Sequence, residues 1–479
     1  MPRYEFSEGS SNKFWDITLS GKSFTTTYGK IGANGQTTIK SFKSDADAKK
    51  EHDKVVAEKT KKGYVLVGGK AKPNGKAKPA KAEAAAPTTG KRDARNKDLE
   101  AAIVANPSDR EAYAVFADWL QEQGDPRGEL MSLQLGYKDK QAKQLIEKHV
   151  DYFLGPLAEH QTVYDEGLNN SVSHLRSKAQ EAEWQKTHQQ AFLWRNGFIY
   201  RVRLSHDSYS HESFEGQCAE ILEQVFSHPS GRYVVELAFH SNGDPNEDDL
   251  QDIIETIGKK APPTIRKITF GDNVDQISWH HTGNLSKMWK AVPNLKTLEI
   301  ESGDFDVGKM TAPALERAIF ITGGMSKSCG KNIANAVMPK IRHLEVYYGD
   351  DNYGGDCTVK EAKPLLDRTD LKDLQYLGLK NSQFANELAK VIAGGAKVVK
   401  GLKTLDLSLG TMTDEGANAL AAAKDSLKHL EVLDLTRNFL TKDGIKAVKG
   451  ICPKVLTGEQ EQADDDGDGE VHYYVSIAE

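Results

Sequence analysis

Cysteine is scarce: four residues (Cys218, Cys329, Cys357 and Cys452) in 479, far apart and with no Cys-x-x-Cys pair. That excludes a disulfide framework and a structural zinc site as organising devices and leaves free thiols as the expectation. Apolar residues make up 38% and the mean hydropathy is −0.57. No stretch approaches the ~20 consecutive apolar residues that cross a bilayer. The opening MPRYEFSEGS also has no apolar run of the kind a secretory signal needs, so a cytoplasmic protein without membrane contact is expected. Signatures of catalysis are missing too. There is no His-Glu-x-x-His, and His280-His281 are adjacent, so in a strand they would point to opposite faces. Gly29-x-x-Gly32-x-x-Gly35 is not followed by Lys-Ser/Thr and reads as a hairpin. Asp464-x-Asp466-x-Asp468-Gly469 imitates the first half of a calcium loop, but Val475 stands where the closing glutamate belongs. We expect no metal, no cofactor and no enzyme activity.

The two charge signs are unevenly divided along the chain. Residues 1–96 hold 20 Lys and Arg against 10 Asp and Glu, a balance of +10, whereas residues 97–479 carry −16. A basic head before an acidic body raises the question of nucleic-acid contact by the head alone. The length suggests two to four domains.

From Arg3 to about Val67 the pattern is a small sheet followed by one helix. Trp15, Ile17 and Leu19 alternate on one face, as do Phe24, Thr26 and Tyr28 in the next run; Asn34-Gly35 marks a hairpin and Gln36 to Phe42 the returning strand. Ser44 is the expected N-cap of a helix ending near Lys62-Gly63. Residues 69–96 contain eight basic and two acidic residues and almost no bulky apolar ones, the composition of a flexible, disordered linker. Two short helices follow, with stripes Leu99, Ala102, Ile103 and Tyr113, Phe116, Ala117, Leu120; a turn at Gly124 to Gly128 starts a third, and helix is expected to continue from Ala142 through Leu193. Beyond Ile199 the chain repeats itself. The pattern L-x-x-L-x-L occurs at Leu295/Leu298/Ile300, Ile341/Leu344/Val346, Leu374/Leu377/Leu379, Leu402/Leu405/Leu407 and Leu430/Leu433/Leu435, with weaker copies starting at Ile199, Val234, Ile265 and Leu315. The last three strong copies are 28 residues apart. Each copy places apolar residues inward on a short strand that must stack on its neighbours to bury them.

Three resemblances follow from these residues. Lys13-Phe14-Trp15-Asp16-Ile17, Thr27-Tyr28-Gly29-Lys30-Ile31-Gly32, Gly35-Gln36 and Lys62-Gly63-Tyr64 make residues 3–67 similar to a WGR domain, with the naming tripeptide altered to Tyr28-Gly29-Lys30. In poly(ADP-ribose) polymerases this domain touches DNA near a strand break, so the resemblance implies that Tyr28 stacks on a sugar or base while Lys30 approaches a phosphate. Trp15, Gly29 and Lys40 complete that candidate surface for DNA or RNA. The competing reading is that Tyr28 and Trp15 simply pack the sheet. Residues 98–135, through Tyr113-x-x-Phe116-Ala117-Asp118-Trp119-Leu120 and Gly124-Asp125-Pro126-Arg127-Gly128-Glu129, resemble a short bacterial module that accompanies repeat arrays. It implies a helical lead-in over the array's first edge. Asp118, Arg127 and Glu129 could pass for a catalytic cluster, but an ion pair at the buried edge that holds the turn is the expected reading. The 28-residue spacing and the pieces at 413–416 and 441–444 resemble leucine-rich repeats of the ribonuclease-inhibitor type, with Asn438 in the family's asparagine position. That family binds proteins on its concave face.

The expected fold class is α/β. A small WGR-type antiparallel sheet with one helix (1–68) precedes the basic linker (69–96), a helical repeat-companion region (97–195) and a leucine-rich-repeat solenoid with a C-terminal cap (196–479). The expected function is a non-enzymatic adaptor or scaffold whose solenoid binds a protein partner and whose head meets nucleic acid. The alternative is a regulatory subunit of a bacterial ATPase or defence assembly in which the WGR module docks protein. On the concave face, the position between the second and third repeat residues reads Arg203, Ala238, Thr269, Glu299, Ile319, Glu345, Gly378, Asp406, Asp434. Glu299, Glu345, Asp406 and Asp434, with Tyr347 and Tyr376 beside them, are the expected seat for a basic partner segment, with Glu345 and Asp406 facing solvent.

Overall fold

A computed structural model describes residues 3–8, 11–30, 36–61, 64–66, 93–161, 190–206, 217–241, 250–271, 277–465 and 471–477, and the chain divides into two units, 1–85 and 86–479. The first unit is a five-stranded antiparallel sheet: β1 (Arg3–Glu8), β2 (Ser11–Ser20), β3 (Ser23–Lys30), β4 (Gln36–Ser41) and β5 (Val65–Leu66), in the order β4-β3-β2-β1-β5. Directly opposed residues in an antiparallel pair share a face. The pairs Trp15↔Tyr28, Ile17↔Thr26 and Leu19↔Phe24 therefore join both alternating runs into one apolar surface. Helix α1 (Asp45–Lys61) lays Val55 and Val56 on that surface. Its start is capped as expected, Ser44 Oγ accepting from Asp47 N at 3.2 Å. The expected hairpin at Asn34-Gly35, the cap at Lys62-Gly63 and all but four residues of the expected linker lie outside the described residues.

The second unit opens with α2 (Lys97–Ala105), α3 (Arg110–Glu122), α4 (Pro126–Leu135), α5 (Asp139–Lys148) and α6 (Val150–Phe153). Ile103, Tyr113, Phe116, Ala117 and Leu120 are buried as the stripes require, although Ala102 is exposed. The turn between α3 and α4 explains its own sequence. Asp125 caps α4 by accepting from Arg127 N at 2.9 Å, and its other oxygen accepts from Ala94 N at 3.0 Å. Pro126 takes the first helical position, where its missing N–H costs nothing. Gly128 lies so close to α3 that a Cβ would stand 2.6 Å from both Ala117 O and Gln121 N. The expected ion pair among Asp118, Arg127 and Glu129 does not form, because Asp118 and Glu129 are exposed whereas Arg127 is buried. The Arg127 guanidinium instead donates to Gly197 O (2.6 Å) and Ser230 Oγ (3.1 Å) and lies over the Phe198 ring. That ties the lead-in to the first strands of the sheet.

Helix was expected through Leu193, but the chain turns to strand: β6 (Phe192–Arg195) runs antiparallel to β7 (Phe198–His206). Asn196 and Gly197 form the two-residue loop with φ of +50° and +82°, the left-handed pair that matches a hairpin's twist. Strand β6 occupies the sheet's open edge. From β7 the sheet is parallel and strictly sequential: β8 (Glu236–Ser241), β9 (Lys267–Phe270), then β11 (Thr297–Glu301), β13 (Arg317–Ile321), β14 (His343–Gly349), β15 (Tyr376–Ser382), β16 (Thr404–Asp406), β17 (Val432–Asp434) and β18 (Lys454–Leu456). Two short intervening strands, β10 (His281–Asn284) and β12 (Asp304–Asp306), pair with each other instead. After them, β19 (Asp464–Asp465) and β20 (Val471–His472) form a small antiparallel pair. Asp466 to Gly469 of the calcium-like run lie outside the described residues.

The repeat register is continuous. Val202, Leu237, Ile268, Leu298, Ala318, Leu344, Leu377, Leu405, Leu433 and Val455 are paired strand to strand. The first nine are buried in one core together with the apolar faces of the connecting helices. Asn438 closes a loop of this core: its Nδ2 donates to Leu407 O at 2.9 Å and its Oδ1 accepts from Met412 N at 3.0 Å, satisfying main-chain groups that water cannot reach.

Candidate protein-binding face

The sheet face opposite the core is built by alternation: residues flanking each buried leucine point the other way. The row anticipated from sequence is in register, Thr269↔Glu299, Glu299↔Ile319, Ile319↔Glu345, Glu345↔Gly378, Gly378↔Asp406 and Asp406↔Asp434. A second row two residues earlier brings Lys267, Thr297, Arg317, His343, Tyr376 and Thr404 alongside.

The two rows lock together, which corrects the expectation of a solvent-facing negative stripe. Glu345 and Asp406 are only 6% and 4% exposed. Glu299 pairs with Lys267 at 2.6 Å and lies 3.7 Å from Arg317. Glu345 meets His343 Nε2 at 2.6 Å, Lys380 Nζ at 3.4 Å and Arg317 at 3.8 Å. Lys380 reaches Asp406 at 3.2 Å, and the Tyr376 hydroxyl donates to the same carboxylate at 2.5 Å while its ring stacks on His343, centroids 4.1 Å apart. Lys380 also lies 5.0 Å from the centre of the Tyr347 ring. At Glu345 and Lys380 burial opposes the charged form, and opposite charges within 4 Å more than offset it. Burial disfavours the Glu345 anion, yet His343 and Lys380 hold its carboxyl below the ordinary value. Burial likewise works against the Lys380 cation, and Asp406, Tyr347 and Glu345 still raise its pKa. Tyr347 is pushed up to about 12 by burial, as Tyr376 is pushed up by burial and the Asp406 carboxylate. Asp434 lacks a cation this close, so burial and then Asp406 raise it. The face is therefore a ladder of ion pairs from Glu299 to Asp406, with Asp434 beyond its last cation. Sequence reasoning missed Lys267, Arg317, His343 and Lys380; applying the same period-two alternation to positions two residues before and after the acidic row would have found them.

Beside the ladder, Ile319, Ile321 and Tyr347 form an apolar patch with Ile277, and Ile477 is buried against it. Near the same end of the strands a cavity of about 260 Å³ is lined by Ser278, His281, Asp304, Ser326, Tyr353 and four glycines. Its neighbour His280 is buried, so the two histidines do differ in environment. All four cysteines are buried and free. Among the described residues, no group of three His, Cys, Asp or Glu is placed to hold a metal, and no helix is long and apolar enough to cross a membrane.

In the first unit Tyr28 is 41% exposed, as a stacking residue must be, but Trp15 is 3% exposed and packs with Ile17 and Phe24 beneath Tyr4, Lys59 and Tyr64. Trp15 is thus a core residue of the sheet and no contact surface, because its strand position points it at α1. Lys40 is exposed and pairs with Glu51 at 3.2 Å. Gly29 and Lys30 are placed by their backbone pairing with Phe14 and Lys13, and the Lys30 side chain lies outside the described residues.

Comparison with known proteins identifies both modules. Residues 3–71 match the WGR domain family model, and residues 402–421 and 426–449 match that of the leucine-rich repeat. The Escherichia coli K12 protein YfeS is 40% identical over 62 residues, 13% of this chain and 25% of YfeS; YehF of the same organism is 40% identical over 65 residues, 14% and 24%. The chain thus spans about a quarter of the length of these curated relatives. Among solved structures, a Bacteroides fragilis protein aligns over 100% of this chain and 99% of its own with a TM-score of 0.47 and 19% identity. An internalin of Listeria monocytogenes aligns over 55% of each chain with a TM-score of 0.26 and 11% identity. The chain carries a WGR domain and leucine-rich repeats.

Proposed function

We propose that this is a non-enzymatic modular binding protein, an adaptor whose leucine-rich repeats form a solenoid that holds a protein partner on the face carrying the charge ladder. The observation that carries the reading is the unbroken register of that face from β9 to β17, with its polar side chains held in one geometry by mutual pairing. A pre-ordered surface loses little side-chain entropy when a partner docks. Photo-crosslinking amino acids at Thr297 and Thr404 on this face, and at Glu387 on an outer helix, test it in cells. Protein adducts from the first two sites and none from the third are expected; equal adducts from Glu387 would refute it.

For the WGR domain, the +10 charge of residues 1–96 and the exposed Tyr28 support contact with DNA or RNA. Burial of Trp15 and pairing of Lys40 favour a second reading, that the domain docks protein in a larger bacterial assembly. Salt dependence separates them: phosphate contacts release counterions, so nucleic-acid binding falls steeply from low to moderate salt and protein docking does not.

A further inference from the structure

The segment Val475–Ile477 sits on the ladder-bearing face as a bound peptide would. Ile477 is 5% exposed and clusters with Ile319 and Ile321 of β13, Tyr347 of β14 and Ile277, with Leu409 packed beside them. Its main chain is gripped on both sides. The side chain of Asn381, fully buried, donates from Nδ2 to Ile477 O, and its Oδ1 accepts from Ile477 N at 2.8 Å. One residue earlier, Ser476 N donates to Leu409 O at 3.0 Å. Asn381 and Leu409 occupy equivalent places in successive repeats, 28 residues apart, and both adopt left-handed backbone, φ +52° and +68°. Leucine avoids that region, so Leu409 is held there by its surroundings.

This set of contacts reads peptide chemistry. The side-chain amide of Asn381 pairs with an N–H and a C=O that every non-proline residue offers, the Leu409 carbonyl takes one more N–H, and only the apolar pocket is selective for a side chain. None of these contacts requires that the bound segment be joined to β18. The geometry points to a peptide-docking seat, formed by Ile319, Ile321, Tyr347, Asn381 and Leu409, for a short segment of a partner protein bearing a branched aliphatic residue, which takes the place of Val475–Ile477. The inference rests on the reading of this face as protein-binding and names the kind of segment it accepts. A tethered occupant competes at an effective concentration on the order of millimolar, so an incoming segment binds weakly until the resident one is released.

The test uses the full chain and a fluorescent peptide of residues 471–477, capped at both ends. Binding to the parent chain is expected to be at least tenfold weaker than to Ile477→Asp, whose own segment is expelled by a charge in the pocket. Adding Asn381→Ala to that variant should abolish binding, and a peptide with Asp at the Ile477 position should fail on every chain. A chain ending after Asp465 repeats the measurement should Ile477→Asp fold poorly, as judged by thermal melting. Equal affinity for parent and released chains, or binding that survives Asn381→Ala, overturns the seat. If that happens while Thr297 and Thr404 still crosslink a partner, only the seat is lost; absence of those adducts removes the protein-binding reading itself.

Discussion

Lys380 is the cation on which the ladder depends, and its replacement by methionine gives a measurable account of that dependence. The side chain is 13% exposed, against 8% for the Glu345 and 6% for the Asp406 side chains it bridges. Methionine keeps most of the stem's apolar bulk and removes only the ammonium. Two buried carboxylates would then face each other across β15 with only the remaining donors around them, among them His343 on Glu345 and both the Tyr376 hydroxyl and Ser408 N on Asp406. Breaking a buried ion pair by removing one partner costs about 3–5 kcal/mol, and the surviving donors place Lys380→Met near the lower end, about 3 kcal/mol. The sign with pH follows from the shifts. Glu345 is held below its ordinary value of 4.5, so its stabilising contribution is present above that value and is lost as pH falls through the lower folded one. Without Lys380 the Glu345 carboxylate loses one of the partners that oppose its burial, so its protonation destabilises the variant less than the parent as pH falls. The stability gap between parent and variant should thus be widest at pH 7 and close toward pH 4. Urea unfolding at both pH values measures the gap, and amide exchange in β14 to β16 locates it. A variant as stable as the parent at pH 7, or a gap that does not change with pH, would show that the ladder contributes no net electrostatic stabilisation.

Three further outcomes are expected. Leu405→Ala and Leu433→Ala each empty a fully buried site flanked by aliphatic residues of the adjacent strands, Leu377 and Leu433 for the first and Leu405 and Val455 for the second, and should cost about 2–5 kcal/mol, with amide exchange accelerating first in β16 to β18 because repeats stabilise mainly their neighbours. Gly128→Ala places a Cβ 2.6 Å from the α3 backbone, so α3 and α4 must move apart; a loss of about 1–3 kcal/mol should appear as a lower Tm, and an unchanged Tm would mean that the close approach is not required. Asp434→Asn should raise stability at pH 7 and not at pH 3, read by thermal melts. The folded pKa of Asp434 is raised by burial and by Asp406, so the acid's contribution is full below its ordinary 3.8 and is lost as pH climbs through the folded value, while asparagine keeps the acceptor for Thr436 N.

Much of this architecture is local enough to be legible in the chain itself. The repeat leucines could be assigned inward because a strand's two-residue period and a 28-residue spacing leave one register that buries them all, and the structure places them in that register. Trp15, Ile17 and Leu19 on one face of β2 followed from the same alternation, as did the cap at Ser44. The hairpin at Asn196-Gly197 was equally local, but the helical reading of the preceding residues obscured it. What the chain could not state was which side chains meet across strands. Glu345 and Asp406 alternate outward, and alternation alone cannot distinguish an outward face that is covered from one that meets solvent. Their burial arises because Lys380 and Arg317, distant in sequence, arrive at matching heights on neighbouring strands, and because Ile477 returns to cover Tyr347. Arg127 took Gly197 O and Ser230 Oγ in place of the nearby carboxylates for the same reason. Periodicity determines which face a residue occupies, since that depends only on backbone geometry within a few residues. Whether that face is wet, and which charge stands opposite, depends on contacts between residues tens to more than a hundred positions apart, and those exist only once the strands have stacked.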